Sequence, residues 1–266
     1  MDAAVKGFIH RAWGSRSPDT FPGPHPVSIE CRHLPLLKSE YVVCEKTDGV
    51  RYLLVCMTHE GRKCAAFVNR RMDLTMVQVA IPRDTLLDGE LLGDTFYIFD
   101  AVMVGGKDVR TLGYLDRLRE AEVVTKGPSF KVKLRMKTMW PARAVTEVWE
   151  RSKDSADGLV FTPVNEPVQM ETHETMFKWK PLDRITVDFK VDSGYLCIWE
   201  RGKGLIKVQR TNAKEGLILE CKYVDDMWVP VKVREDKDMP NNRRTMMRTM
   251  VNIREDIRIQ KIQSIF

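Results

Sequence analysis

The string Lys46-Thr47-Asp48-Gly49-Val50-Arg51 sets a lysine, a carboxylate and an arginine around one glycine. A lysine is a nucleophile only as the free amine, so this reading expects Lys46 where partial burial or neighbouring positive charge depresses its pKa. Arg51 and further lysines would supply that charge. On its own the string equally describes a charged turn. Asp88-Gly89-Glu90 closes an apolar run, and Tyr97-Ile98-Phe99-Asp100 follows after a Gly93-Asp94 turn, which predicts Glu90 and Phe99 on neighbouring antiparallel strands. Asp157-Gly158-Leu159-Val160-Phe161 puts another carboxylate at the head of a strand. In Phe177-Lys178-Trp179-Lys180 the two-residue period sends both lysines to one face and both aromatics to the other. Two lysines beside an apolar layer are costly unless an anion is bound there, and a phosphate chain is the natural anion.

Other patterns invite chemistry and fall short of it. Cys56 to Arg62 has the C-x5-R spacing of a cysteine phosphatase loop, but Val55 stands where that signature wants histidine and one glycine is too few to shape a phosphate nest. A strand end followed by a turn is the better reading. The cysteines Cys31, Cys44, Cys56, Cys64, Cys197 and Cys221 include no C-x-x-C pair, and the five histidines are scattered. Reduced structural thiols are expected, with neither a disulfide framework nor a zinc site.

The candidate residues need elements to hold them, and 266 residues suffice for one large domain or two ordinary ones. A hydrophobic content of 43% argues for a packed core. With 30% charged residues and no apolar run near the ~18 residues of a membrane span, an integral membrane protein is excluded. The first residues lack the apolar core of a signal peptide, so a soluble intracellular protein of the cytoplasm or nucleus is expected. The Pro- and Gly-rich opening to about residue 27 reads as an irregular arm. Runs of β-formers at Tyr41–Cys44, Tyr52–Cys56, Ala65–Asn69, Leu86–Leu92, Phe96–Val104, Leu159–Phe161 and Phe177–Lys180 read as strands, with helical spacing at Leu112–Val124 and Ala142–Arg151. That mixture predicts an α+β domain with antiparallel sheets over residues 1–188.

After Asp188 the texture changes to short, evenly spaced runs at Val187–Val191, Leu196–Glu200, Leu205–Gln209, Leu217–Tyr223 and Trp228–Val233. Five short strands with Gly or Asp turns predict a small OB-type barrel over 189–242. Met246, Met247, Met250 and Val251, then Ile257, Ile262 and Ile265, fit one or two helices over 243–266 that pack back near the junction of the domains. The net charge of +6 is uneven: residues 189–266 hold 16 Lys+Arg against 11 Asp+Glu, and residues 1–188 hold 27 against 26. The basic surplus of the last third suits a phosphate-bearing partner, although a solvated basic surface gives the same count.

In order, these motifs resemble those of the lysine-dependent covalent nucleotidyltransferases, the group of capping guanylyltransferases, DNA ligases and RNA ligases. They are Lys46–Arg51, Asp88–Glu90, Phe99-Asp100, Asp157–Val160, Lys178-Trp179-Lys180 and Arg234-Glu235-Asp236-Lys237. Within the group the chain is most similar to the mRNA capping guanylyltransferases, especially the compact enzymes of large DNA viruses. Pro22–Glu30 leading into Tyr41–Gly49, Phe177–Phe189 ending in Thr186-Val187-Asp188-Phe189, and Trp228 followed by Arg234 to Asn241 carry that closer likeness. The stretch from Glu90 to Phe99 is shorter than usual, which trims a hairpin. The resemblance implies an ATP-grasp-like ligase and capping domain followed by an OB fold.

The resemblance further implies that Lys46 attacks the α-phosphorus of GTP, forms a Lys46–GMP phosphoramidate with loss of pyrophosphate, and passes GMP to the 5′-diphosphate end of an RNA to give a GpppN cap. Lys178, Lys180, Arg234, Asp236 and Lys237 would assist catalysis, Lys180 also reaching guanine O6. GTP would contact Asp48, Gly49, Arg51, Arg70, Glu90, Phe99, Asp157, Lys178 and Lys180. Phe99 would stack on the base, although a strand aromatic is as readily core; Arg70 also reads as an exposed strand-end arginine, and Glu90 and Asp157 as turn-capping acids. A divalent cation, Mg²⁺ or Mn²⁺, is implied, with Glu90, Asp157 and Asp188 as candidate ligands. The small domain would close over the nucleotide on hinges near Lys190 and Asn241–Arg243 and reopen for RNA.

Two rivals share these residues: an ATP-dependent polynucleotide ligase with a Lys–AMP intermediate, and a catalytically silent nucleic-acid-binding protein. Complete motifs argue against the second, and nucleotide choice discriminates the first. Glu120-Ala121-Glu122 lies in a helical stretch and makes no triphosphatase by itself. RNA triphosphatase and cap methyltransferase activities are therefore expected from separate proteins, with this chain a monomer and no membrane partner.

Overall fold

The computed structural model describes residues 1–15, 17–128 and 130–266. In chain order it forms α1 (Asp2–Trp13), β1 (His25–Ser28), β2 (Tyr41–Thr47), β3 (Val50–His59), β4 (Arg62–Val68), β5 (Leu74–Met76), β6 (Thr85–Leu92), β7 (Thr95–Val104) and β8 (Lys107–Asp108). Next come α2 (Tyr114–Ala121), β9 (Lys133–Met136), β10 (Trp140–Pro141), α3 (Val145–Ser152), β11 (Ala156–Pro163) and β12 (Thr172–Trp179). The last part holds β13 (Val187–Asp192), β14 (Tyr195–Glu200), β15 (Gly204–Arg210), β16 (Ile218–Val224), β17 (Met227–Val233), α4 (Arg243–Glu255) and α5 (Ile259–Gln263). By contact the chain forms two compact units, one of residues 1–27 and 36–178, the other of 28–35 and 179–266.

The first unit contains two sheets. One runs β5-β4-β3-β6-β7-β8 with β9 parallel to β7, and the other runs β1-β12-β11-β2-β10. Alternation along β3 explains why the larger sheet is buried on both faces. Leu53, Val55 and Met57 pack with Val5, Ile9, Ala12 and Trp13 of α1, whereas Leu54 and Cys56 pack with Leu87, Phe96, Ile98, Ala121 and Val124. The helix α1 corrects the expectation of an irregular arm. Val5, Ile9, Ala12 and Trp13 recur at helical spacing and are all buried, and Gly14 ends the helix at φ 67. The prolines that suggested an irregular arm begin only at Pro18.

The expected strands and the helical stretches at 112–124 and 142–151 are present; each of the latter combines a short α-helix with a 3-10 turn. Cys56 lies buried within β3, and the β3–β4 turn at Glu60-Gly61 separates it from Arg62. A strand and turn, not an anion loop, occupy that segment.

In the second unit five antiparallel strands run β15-β14-β13-β16-β17. Val187, Phe189, Val191, Leu196, Ile198, Leu219, Cys221 and Trp228 form its core, against which Met246, Met250 and Ile253 of α4 pack. Among the described residues no ladder joins β15 to β17, so the sheet stays open where a closed barrel would pair its edges. Asn242 caps α4 by accepting a hydrogen bond from the Thr245 amide at 2.8 Å. Among the described residues no helix is long and apolar enough to cross a membrane.

Candidate active site

Lys46 sits at the end of β2, opposite β11. The ladder pairs Ala156 with Thr47 and Gly158 with Lys46, leaving Asp157 as the extra residue of a β-bulge. The bulge turns the Asp157 carboxylate to Lys46, whose Nζ donates to Oδ2 at 2.9 Å. Lys46 retains 28% side-chain exposure, so the amine is held but reachable. The neighbour on its Nζ is thus a carboxylate. Arg51, expected to press on Lys46, directs its fork elsewhere.

Arg51 stands opposite Glu90 in the β3–β6 ladder. Its Nε donates to Asp88 Oδ1 at 2.9 Å, its second nitrogen to Oδ2 at 2.5 Å, and its third to the Pro24 carbonyl at 2.6 Å. The guanidinium lies over the rings of Phe21, 5.1 Å away, and Phe99, 5.4 Å away. Phe99 is itself a bulge residue, because β6 and β7 pair Gly89 with Ile98 and Asp88 with Asp100. Glu90 and Phe99 therefore do lie on neighbouring antiparallel strands. Glu90 accepts the Gly49 amide at 3.3 Å. Burial pushes the Glu90 carboxyl upward, and the charges of Lys46, Lys137 and Arg51 oppose that shift.

Two glycines are fixed by close approach. A Cβ on Gly49 would meet the Leu91 carbonyl oxygen at 2.6 Å, and one on Gly89 would meet the Phe96 ring at 2.4 Å. Asp48 is exposed in the turn between β2 and β3. Arg70, exposed after β4, lies within electrostatic range of Arg51, Asp88 and Glu90. Lys178 lies on β12 between buried Phe177 and Trp179, as the alternation predicts.

Two residues of this site escaped the sequence reading. Lys137, just after β9, has a side chain only 5% exposed; its ammonium donates to Thr47 Oγ1, pairs with Glu45 at 2.8 Å and lies 5.6 Å from the Tyr97 ring centre. Its signal was faint, one lysine among Lys131, Lys133 and Arg135. His25 opens β1, and its imidazole pKa is pushed down to about 4 by burial and by the charges of Arg51, Arg70 and Lys178, with Asp88 opposing.

The remaining expected residues lie in the second unit. Lys180 follows the end of β12 and is half-buried. Asp188 on β13 accepts from Arg234 at 3.2 Å and from Lys237, while the Asn241 side chain accepts its backbone amide at 2.8 Å. Arg234 also pairs with Asp236 at 2.7 Å and with Glu220 at 3.6 Å. The hydrogen bond from Arg234 holds the Asp236 carboxyl well below the usual range. Both Asp188 oxygens thus serve motif cations. Among the described residues no three His, Cys, Asp or Glu side chains gather into a metal-holding group.

The antiparallel sheets, the motif order and the lysine at the strand end define a nucleotidyltransferase of the ligase and capping type. A solved structure called Pmar-Lig_PreS3 shares this fold at TM-score 0.52 and 13% identity, over 88% of this chain and 72% of its own. The chain belongs to the mRNA capping enzyme family: residues 2–182 match its catalytic domain and residues 130–263 its C-terminal domain. The mRNA-capping enzyme subunit alpha of Schizosaccharomyces pombe is 27% identical over 91% of this chain and 78% of its own length. The mRNA-capping enzyme of Mus musculus is 26% identical over 85% of this chain. The chain spans 46% of the mouse protein and about half of several fungal relatives.

Proposed function

We propose that this chain is an mRNA guanylyltransferase. Lys46 Nζ attacks the α-phosphorus of GTP, the bond to the bridging oxygen of pyrophosphate breaks, and a Lys46–GMP phosphoramidate results. A 5′-diphosphate RNA end then takes the GMP, freeing Lys46 and forming GpppN. The observation that carries the reading is the Lys46–Asp157 pair at the β11 bulge. Attack needs the free amine, and Asp157 Oδ2 already accepts a hydrogen bond from Nζ, so it is the group disposed to receive the proton.

Both transfers are in-line phosphoryl chemistry, in which positioning and charge neutralisation do most of the work. Arg51, Arg70 and Lys178 fit as ribose and phosphate contacts, Asp48 and Gly49 as the turn beside the nucleotide, and Phe99 as the platform for the base. Lys137 adds a reason for guanine. A buried ammonium offers only donors, which suits the O6 carbonyl of guanine and repels the amino group of adenine. Lys180 and Asp236 complete the proposed catalytic set. Arg234 and Lys237 would orient the departing phosphates, for which they must exchange Asp188 for phosphate oxygens.

Glu90 and Asp157 suit a cation held by one or two carboxylates together with nucleotide phosphates, the usual way Mg²⁺ is bound. When bound, such a cation, Mg²⁺ or Mn²⁺, would neutralise charge on the leaving pyrophosphate. Asp188 suits that task less, since its oxygens are engaged by Arg234 and Lys237. The proposed division is a nucleotidyltransferase domain over 1–188, an OB-type domain over 189–242 and a helical tail over 243–266. Triphosphatase and methyltransferase partners are proposed as separate proteins, this chain acting as a monomer; some relatives are named as a subunit alpha.

The test is incubation with α-labelled GTP or ATP and a divalent cation, without RNA, followed by denaturation. Acid-labile label from GTP alone, absent in Lys46→Ala, is expected. Label from ATP instead would make the chain a ligase, and no label from either nucleotide would reject a covalent mechanism.

A further inference from the structure

One of the basic stretches of the chain covers the β14–β15 hairpin and the residues just after it. Residues 195–214 hold five Lys+Arg (Arg201, Lys203, Lys207, Arg210, Lys214) against Glu200 alone, a net +4 where the whole chain carries +6. All five cations are exposed. Glu200 is already engaged, by Arg243 at 3.0 Å and by Lys203 at 3.5 Å. The field in front of this hairpin is therefore positive and little offset by its own acid.

The hairpin also sorts its residues by face. Leu196 and Ile198 of β14 and Ile206 and Val208 of β15 turn to the core of the second unit. The ladder pairs Tyr195 with Arg210, Cys197 with Lys207 and Trp199 with Leu205 on the other face. There the Lys207 ammonium lies 4.5 Å from the Tyr195 ring centre, and Arg210 donates to the Tyr195 hydroxyl at 3.1 Å. Trp199 is 39% exposed, unusual for so large an aromatic with no core role. Cations on one strand beside aromatic rings on its neighbour are the makings of a single-strand track: phosphates meet the cations and bases stack on the rings. Because β14 and β15 are the second and third strands of the five, they also correspond to the face with which OB-type barrels hold oligonucleotides.

We propose that the outward face of β14 and β15, with Tyr195, Trp199, Lys207 and Arg210, is the track that holds the single-stranded RNA behind its 5′-diphosphate end. The proposal rests on the guanylyltransferase reading for the identity of the RNA, and on charge and aromatic placement for the surface. It adds a binding site remote in sequence from the Lys46 motifs, with a role only in the second half of the reaction.

The test uses the full chain with Lys207→Glu/Arg210→Glu. Lys46–GMP formation from GTP, which involves no RNA, is expected at the wild-type rate. GMP transfer to a 20-nucleotide 5′-diphosphate RNA is expected to show a KM raised tenfold or more, while transfer to a dinucleotide 5′-diphosphate stays unchanged. Fluorescence anisotropy with the same RNA carrying a 5′-hydroxyl should show weaker binding and a log–log salt slope reduced by about 1.4, for two lost phosphate contacts on a single strand. Equal RNA affinity and salt slope in variant and wild type would overturn the proposal, as would equal KM loss on the dinucleotide. Lys207→Gln/Arg210→Gln, with thermal melts of both variants, replaces the charge reversal if that variant unfolds, and Lys207→Arg should restore binding. Should the wild type form no GMP adduct, the guanylyltransferase reading fails, and the anisotropy comparison still decides whether this face binds RNA.

Discussion

In the proposed function, Lys137 is the residue that would set nucleotide choice. With its ammonium between Thr47 and Glu45 and its side chain 5% exposed, it can give a purine only hydrogen-bond donors. Lys137→Met is expected to reduce the GTP-over-ATP preference in adduct formation by about a hundredfold or more, since the ammonium that can turn a donor to guanine O6 meets only a like donor in the amino group of adenine. An unchanged ratio of labelling rates with the two nucleotides would remove Lys137 from the base site. His25 gives a pH signature. Its pKa in the fold is about 4, against 6.5 for an ordinary imidazole, so between those values the unfolded chain binds the extra proton. Stability should therefore be untouched above pH 6.5 and fall as pH drops toward 4, and His25→Asn should flatten that part of the curve of melting temperature against pH. Lys46, Arg51, Glu90 and Asp157 were legible because each falls in a short motif of fixed order. Lys137 and His25 were not, because what distinguishes them is burial among residues brought in from other strands.

At the scale of elements, two of the motif residues owe their aim to irregularity. Asp157 and Phe99 are both the extra residue of a β-bulge, and bulges turn side chains out of the regular alternation. Alternation could be read from the apolar runs, so the strands of both units were expected close to where they occur; the register shifts within them leave no such pattern. Helix α1 was hidden for a different reason. The Pro and Gly residues from Pro18 onward dominated the composition of the opening stretch, while Val5, Ile9, Ala12 and Trp13 carried the helical spacing. Ile9, 1% exposed, faces Leu53, Val55 and Val102 in one cluster, so Ile9→Ala is expected to cost about 2–5 kcal/mol in urea unfolding. Helix α2 is anchored differently. Its Arg117 grips Asp100 at 2.7 and 3.0 Å and also donates to the carbonyls of Leu112 and Glu166. Removing the arginine strands a buried carboxylate, so Arg117→Ala should cost about 3–5 kcal/mol. A loss below about 1 kcal/mol by the same measurement would mean that Asp100 finds another partner or solvent.

Over the whole molecule, the least legible feature is that the second compact unit is discontinuous. Residues 28–35 belong with 179–266, although more than a hundred residues intervene. No local pattern reports such a pairing, because its contacts are long-range. The Asn252 side chain donates to the Ile29 carbonyl at 2.6 Å, Glu255 accepts the Cys31 amide at 2.7 Å, and Lys261 donates to Cys31 Sγ at 2.9 Å. Ile29 is itself buried, 2% exposed. The segment thus ties the end of α4 and the middle of α5 to a part of the chain made long before them. Removing one tie leaves a backbone amide without its acceptor, which costs on the order of 1–3 kcal/mol. Glu255→Ala in the full chain is therefore expected to speed amide hydrogen exchange across α4 and α5 about tenfold, while amides of β3 in the first unit keep their wild-type protection. Equal acceleration in β3 would mean that the chain opens as one cooperative body, and no acceleration in either place would mean that the tie contributes nothing to the stability of the second unit.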